Sequence, residues 1–393
     1  MAGPLSGVRI VDLTRLYPGP FGTQLLGDFG AEVIKVEDKN SPDYIRFFPP
    51  KFKNEGAGYI AVNRNKKSLA LDLRSDKGKE LFFRLVEKSD VVVEQFRPGV
   101  IAKMGLGYEE AKKVNPRIIY CSITGFGQTG PYANVAGHDL NYMGLAGISD
   151  TIGPKGGDPV LPGIQVADVA GGGLMSVIGV LAALVARATT GNGQHVDVSM
   201  FDGILPFMGM LFSNYKAGGG LPERGNTFLS GGLLCYNIYR TKDNRHVTVA
   251  GLEFKFWKRF CELIERPDLT DKQFVEGKEY ERLHKELSEL FLTRNMQEWV
   301  DLFRGEESMA DAVLSIDEVE HDPHAIARKM IIEMDHPTEG KIKGIGVPIK
   351  FSETEATDIT PPPILGQNND EILSFIGLSK AEIEKLRADG IIV

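Results

Sequence analysis

Over the first 125 residues, short runs of β-branched and apolar residues alternate with stretches of helical period. Residues 8–13 form an apolar strand-like run, and Pro18-Gly19-Pro20 interrupts it. Residues 21–29 have helical spacing closed by Gly30, and residues 32–37 are strand-like again. That is a βαβ unit of the usual size. The pattern repeats with a strand at 68–73, a helix that Ser75 caps and that runs to about 88, and a strand at 90–96. A helix at 108–114 and a strand at 117–123 follow. Strands alternating with helices in this way predict an α/β fold with a doubly wound, Rossmann-like parallel sheet.

Beyond this region the texture changes. Residues 124–137 form a loop rich in Gly, Pro and Thr, and a long apolar helix is expected at about 167–189, with a short strand at 195–200. Six glycines between 215 and 232 mark a linker. Residues 233–239 and 246–250 predict an antiparallel hairpin. Residues 253–265, 278–292 and 297–304 predict amphipathic helices. The resulting division is a large α/β domain at 1–205, a linker at 206–227 and a small α+β domain at 228–335. Residues 336–393 return to the large domain and complete it from about 345, through a strand at 342–351 and a helical tail at about 370–386.

Composition narrows the class. At 393 residues, 42% apolar and 25% charged, the chain suits a soluble protein of two domains. Its net charge of −8 gives no general attraction to nucleic acid. Cys121, Cys235 and Cys261 are isolated, which fits reduced thiols and neither a disulfide framework nor a zinc site. The first residues lack the apolar run of a signal peptide, so a cytoplasmic protein is expected. Residues 169–186 carry no charge over 18 positions, near the length of a membrane span. Asp168 and Arg187 flank them and four glycines dilute them, so a core helix is expected instead.

The candidate chemistry lies in two segments, Gly137-His138-Asp139-Leu140-Asn141-Tyr142 and Ala167-Asp168-Val169. Each opens a predicted helix with a titratable side chain. A His and a carboxylate converging on one cavity can take a proton from one face of a carbon and return it to the other. Taken alone, Asp168 would serve equally well as a helix N-cap. His321 and His324 have the look of a metal pair, but no metal is expected. Neither a GxGxxG nor a P-loop spacing occurs.

Several ordered blocks resemble the family III CoA-transferases, including the α-methylacyl-CoA racemases of that fold. They are Pro4-Leu5-Ser6-Gly7-Val8-Arg9, the run from Leu26-Gly27-Asp28-Phe29-Gly30 to Glu37, Phe96-Arg97-Pro98-Gly99-Val100, Gly125-Phe126-Gly127-Gln128-Thr129-Gly130-Pro131 and Leu365-Gly366-Gln367. The block from Gly137 to Tyr142 is similar to the racemases. The resemblance implies an interlocked dimer, with each active site between the large domain of one copy and the small domain of the other. It implies His138 and Asp168 as the acid/base pair, the Asp139 amide as donor to an enolate oxygen, and Glu253 as the carboxylate that orients His138. Gly137, Asn141 and Tyr142 would line the same wall.

Coenzyme A would enter as part of the substrate, with no permanently bound cofactor. Arg74, Arg97 and Lys103 stand at nucleotide-binding positions of the racemases, Leu73 and Phe96 would pack on the adenine, and Leu71 and Gln95 would flank it. The chain departs from those racemases at Asp38, where they often place an arginine. Lys66 and Lys67 are then expected to supply positive charge. The implied partners are an acyl-CoA thioester and a second copy of the chain or a homologous subunit, with no membrane and no nucleic acid. The first functional expectation is racemisation of a 2-methylacyl-CoA. The alternative is CoA transfer through an acyl anhydride on Asp168, and a third is a non-catalytic partner subunit.

Overall fold

The computed structural model describes residues 3–354 and 358–393. The chain divides into two units: Met1–Ala146, Gly163–Phe207 and Pro323–Val393 form the first, and Gly147–Pro162 with Met208–Asp322 the second.

The first unit is built on six parallel strands: β1 (Arg9–Asp12), β2 (Glu32–Glu37), β3 (Lys66–Ala70), β4 (Val91–Glu94), β5 (Ile119–Thr124) and β6 (His195–Ser199). Their order is β3-β2-β1-β4-β5-β6. Ile10, Val11, Val33, Ile34, Val91 and Val92 are all buried, as expected of strands covered on both faces. The order reverses between β1 and β4, both of which pair with neighbours on opposite sides. At such a switch point the loops leaving the carboxyl ends of the two strands diverge and open a crevice.

The Pro18-Gly19-Pro20 signal proved to be a helix start rather than a break. The first helix is Pro18–Asp28, because proline at its first position loses only an N–H that has no partner there. Ser75 caps its helix as expected, its Oγ accepting the Gly78 N–H at 2.9 Å. The helical tail is two helices, Asn369–Phe375 and Lys380–Ala388. Gly377 at φ +98° ends the first, and Ser379 starts the second by accepting from Glu382 N–H. Ile372, Leu373, Ile383 and Leu386 enter the same core as Leu71, Leu81 and Phe82. The unit also holds an antiparallel pair, β10 (Ile331–His336) and β11 (Gly340–Ile345), of which the pattern foretold only part of the second strand.

The second unit contains a three-stranded antiparallel sheet, β7 (Tyr236–Arg240), β8 (His246–Ala250) and β9 (Ala310–Ala312). The hairpin falls where the alternation placed it. The three-residue β9 is too short to carry a period. Helices Phe254–Leu263, Gly277–Phe291 and Met296–Phe303 cover a core of Trp257, Phe260, Phe291 and Trp299. Both indole N–H groups are satisfied, at Leu269 O and Phe291 O, each 2.9 Å away. The segment 206–227 expected as a linker includes a helix, Gly209–Asn214.

Candidate active site

A cavity of about 470 Å³ opens at the switch point of the first unit. Its walls come from the loop after β1, the loop after β4, the end of β5, and the segments bearing His138 and Asp168. Such a volume suits a small-molecule site.

Asp168 is placed by close helix packing. The long apolar helix opens as a π-helix, Ala167–Leu174, and continues as Met175–Thr190. A Cβ on Gly171 would lie 2.3 Å from Met200 O, and one on Gly172 would lie 2.7 Å from Pro18 Cβ. Only glycine allows this approach, which seats the first turn of the helix against Pro18–Asp28 beside the cavity. Asp168 is not the N-cap, since Val166 holds that position. Its own backbone N–H donates to Asp139 Oδ1 at 3.0 Å, and the residue lines the cavity. Burial, and secondarily the Asp139 charge, push that carboxyl up to about 7. The opposite side of the same helix exposes Leu174, Ile178 and Val185, so the expected core helix is buried on one face only.

His138 stands at the N-cap of helix Asp139–Leu145 in an extended conformation. Its backbone N–H donates to Asn141 Oδ1 at 3.0 Å, and its carbonyl accepts from Asn141 N–H at 2.8 Å. The ring is exposed and lines the cavity. Tyr142 fixes this loop from below. A Cβ on Gly125 or Gly137 would fall 2.6 or 2.8 Å from the Tyr142 ring, and the Tyr142 hydroxyl donates to Gly137 O. Burial, with the charge of Asp168, lifts the phenol to about 12, against an opposing effect of Arg97. Tyr142 is therefore a neutral wall of the site. Among the described residues no acceptor pairs with the Asp139 N–H, a first-turn donor of this helix.

Gln95, Phe96 and Arg97 line the cavity after β4. Gln95 Oε1 accepts the Gly19 N–H at 3.0 Å, joining this loop to the first helix. Phe96 N–H donates to Glu94 Oε2 at 2.7 Å. The other expected residues are placed differently. Leu71 and Leu73 are core residues whose side chains are covered. Lys103 is exposed at the end of a short helix, Val100–Lys103, outside the cavity lining. Arg74 is 74% exposed and pairs with Asp38 at 3.4 Å. Glu253 is the exposed N-cap of Phe254–Leu263 in the second unit and is not a lining residue.

Lys66 and Lys67 do not supply the free positive charge expected of them. Lys66 is buried and spent on Asp12 Oδ2 at 3.0 Å and Asn63 Oδ1 at 2.9 Å, and burial pulls its ammonium down to about 8. Lys67 is shared between Glu32 at 2.6 Å and Glu371 at 2.5 Å. His321 lies 3.4 Å from Glu320, and among the described residues no group of three or more His, Cys, Asp or Glu could hold a metal ion.

Two residues escaped the sequence reading. Glu94, the last residue of β4, is a buried carboxyl pushed up to about 7 by burial, against hydrogen bonds from Ser122 and the Phe96 N–H. Arg15 follows β1 at the switch point, its guanidinium 5.7 Å from the Phe96 ring centroid. The available signal was a charged residue at the carboxyl end of an apolar run.

The family model for CoA-transferase family III matches residues 5–369. Over 95% of this chain and 86% of its own length, human succinyl-CoA:glutarate CoA-transferase is 37% identical. Human alpha-methylacyl-CoA racemase is 33% identical over 99% of this chain and 97% of its own. The crystal structure of a CAIB/BAIF family protein from Brucella suis superposes with a TM-score of 0.83 at 32% identity, covering 96% of this chain and all of that one. A match of this extent, on a six-stranded parallel sheet with its cavity at the switch point, places the chain in CoA-transferase family III.

Proposed function

We propose that this protein is an acyl-CoA enzyme that racemises the carbon beside the thioester carbonyl of a 2-methylacyl-CoA. The observation that carries the reading is that His138 and Asp168 line one cavity, with Asp168 lifted to about 7. A carboxyl poised there can hold or release a proton at neutral pH, as general acid–base work requires. One member of the pair breaks the α C–H bond and keeps the proton. The electron pair moves onto the thioester oxygen, where the unpaired Asp139 N–H supplies a donor. The other member protonates the opposite face of the enolate. No redox or metal step enters this scheme. Arg97 and Phe96, at the cavity wall, take the nucleotide end of coenzyme A.

A second reading is CoA transfer, and the 37% identity to a transferase favours it. There Asp168 attacks the thioester carbonyl and expels the CoA thiolate, forming a mixed anhydride. The thiolate returns to the Asp168 carbonyl and releases the first acid. A second carboxylate then displaces the thiolate to form a new anhydride, and the thiolate attacks its acyl carbonyl to give the new acyl-CoA and free Asp168. Chiral analysis of one 2-methylacyl-CoA enantiomer incubated with the protein separates the two. Racemisation without an added acid supports the first reading, and retained configuration with a new thioester formed only with an acceptor acid supports the second.

The assembly we propose is an interlocked dimer in which Glu253 of one copy orients His138 of the other. The apolar Leu174, Ile178 and Val185, exposed on the single chain, support association with a second copy.

A further inference from the structure

We infer that Arg15 is an anion-binding residue of this site, holding a carboxylate or phosphate oxyanion of the acyl-CoA. The inference rests on the acyl-CoA reading above and deepens it.

The loop that carries Arg15 is fixed on both sides. The Thr14 N–H and hydroxyl donate to Asp12 Oδ1 at 2.9 and 2.5 Å, and the Thr14 carbonyl accepts from Lys35 Nζ at 2.8 Å. Leu16 N–H donates to Asp43 Oδ1 at 3.1 Å. Leu16 itself sits at φ +61°, a left-handed conformation that is costly for a residue with a side chain. Buried ion pairs hold the anchors, Lys35 with Asp43 at 3.1 Å and Lys66 with Asp12 at 3.0 Å. Strain kept in place by this much surrounding structure is characteristic of functional sites.

Arg15 differs from these charged neighbours. Each of them has an ionic partner. Arg15 is half-buried, yet among the described residues no hydrogen-bond acceptor or carboxylate pairs with it. Its guanidinium lies 5.7 Å from the centroid of Phe96, and both Phe96 and the adjoining Leu16 line the cavity. A ring face is a weak substitute for the water a half-buried guanidinium has lost. An oxyanion with two acceptor oxygens would restore paired, charge-assisted hydrogen bonds. An acyl-CoA can offer two such groups: a phosphate of the nucleotide or, where the acyl chain is that of a dicarboxylic acid, its terminal carboxylate.

Stable thioethers distinguish the two sources. Dissociation constants are measured by NMR titration for S-ethyl-CoA, S-carboxyethyl-CoA and S-carboxyethyl-pantetheine. The proteins are the wild type, Arg15→Ala and Arg15→Met, the last keeping the aliphatic stem against Phe96 should the alanine variant misfold. Loss of a charge-assisted contact predicts about tenfold or greater weakening. If the phosphate is the partner, both CoA thioethers weaken and the pantetheine is spared. If the carboxylate is the partner, both carboxyethyl ligands weaken and S-ethyl-CoA is spared. Unchanged binding of all three, or equal weakening of all three, overturns the inference. Failure of the wild type to bind either CoA thioether overturns the acyl-CoA reading itself.

Discussion

The Asp139 carboxylate accepts the backbone N–H of Asp168 at 3.0 Å, so the residue after one member of the proposed acid/base pair caps the turn bearing the other. The contact couples position and charge: it seats Asp168 and places a negative charge near it. Asp139→Asn should keep the acceptor and remove the charge. We predict that the pH limb governed by Asp168 moves to lower pH. It should not reach the ordinary carboxylate range, because burial is the larger cause of the shift. The pH dependence of kcat/KM for the variant reads this directly, and an unmoved limb would show that Asp139 acts on position alone.

The shape of the wild-type profile is itself diagnostic. An acid/base pair sharing one proton is active between two macroscopic ionisations, so kcat/KM should be bell-shaped, with one limb near the value of about 7 found for Asp168. A nucleophilic carboxylate needs only to be ionised. A profile that rises through neutrality and stays level above it favours the transferase reading.

His138→Ala should lower racemisation at least ~10²-fold, the ordinary contribution of a positioned acid or base. Asp168→Ala and Asp168→Asn should abolish activity under either mechanism. The contrast therefore lies in His138: a folded His138→Ala protein that racemises at the wild-type rate excludes it from proton transfer.

Asp168 should also cost stability. Its folded-state value of about 7 lies above the unfolded 3.8, so between those values the native state holds a proton that the unfolded state has released. Stability then falls as pH rises through that window and stays lower above it. Asp168→Asn should stabilise the protein at pH 8 by on the order of 1–2 kcal/mol, discounted for partial exposure, and by almost nothing at pH 4. Denaturant melts at the two pH values check the sign.

Arg97→Ala should raise KM for acyl-CoA more than it lowers kcat, since a phosphate contact remote from the reacting carbon is alike in ground and transition states. The loss should be ~1.5–3 kcal/mol and should largely vanish with a pantetheine thioester. Equal losses on both substrates would make Arg97 structural.

The sequence was most legible where period and local chemistry agreed. β1, β2, β4 and the Tyr108–Val114 helix follow from apolar runs and spacing, and the Ser75 cap from its hydroxyl. His138 and Asp168 were found through their blocks, and one cavity brings them together. What was not legible depends on partners remote in sequence. Lys66 looked like free charge until the sheet set it against Asp12, 54 positions away. Leu73 looked like an adenine platform until the fold buried it in the core that Leu81, Phe82 and the C-terminal helices share. Arg15 and Glu94 gained significance only when the strand order put the ends of β1 and β4 side by side. The single break in the tail needed Gly377, whose left-handed conformation the helical period did not announce.

The central claim, proton transfer at the α-carbon by His138 and Asp168, is tested most directly by incubating the protein with a single enantiomer of a 2-methylacyl-CoA in deuterated water, with no acceptor acid. Mass spectrometry of the recovered thioester should show one deuterium at the α-carbon, entering at the rate of racemisation and lost in both His138→Ala and Asp168→Ala. Recovery of fully protiated substrate, with unlabelled thioester exchange appearing only when a free carboxylic acid is added, would contradict it.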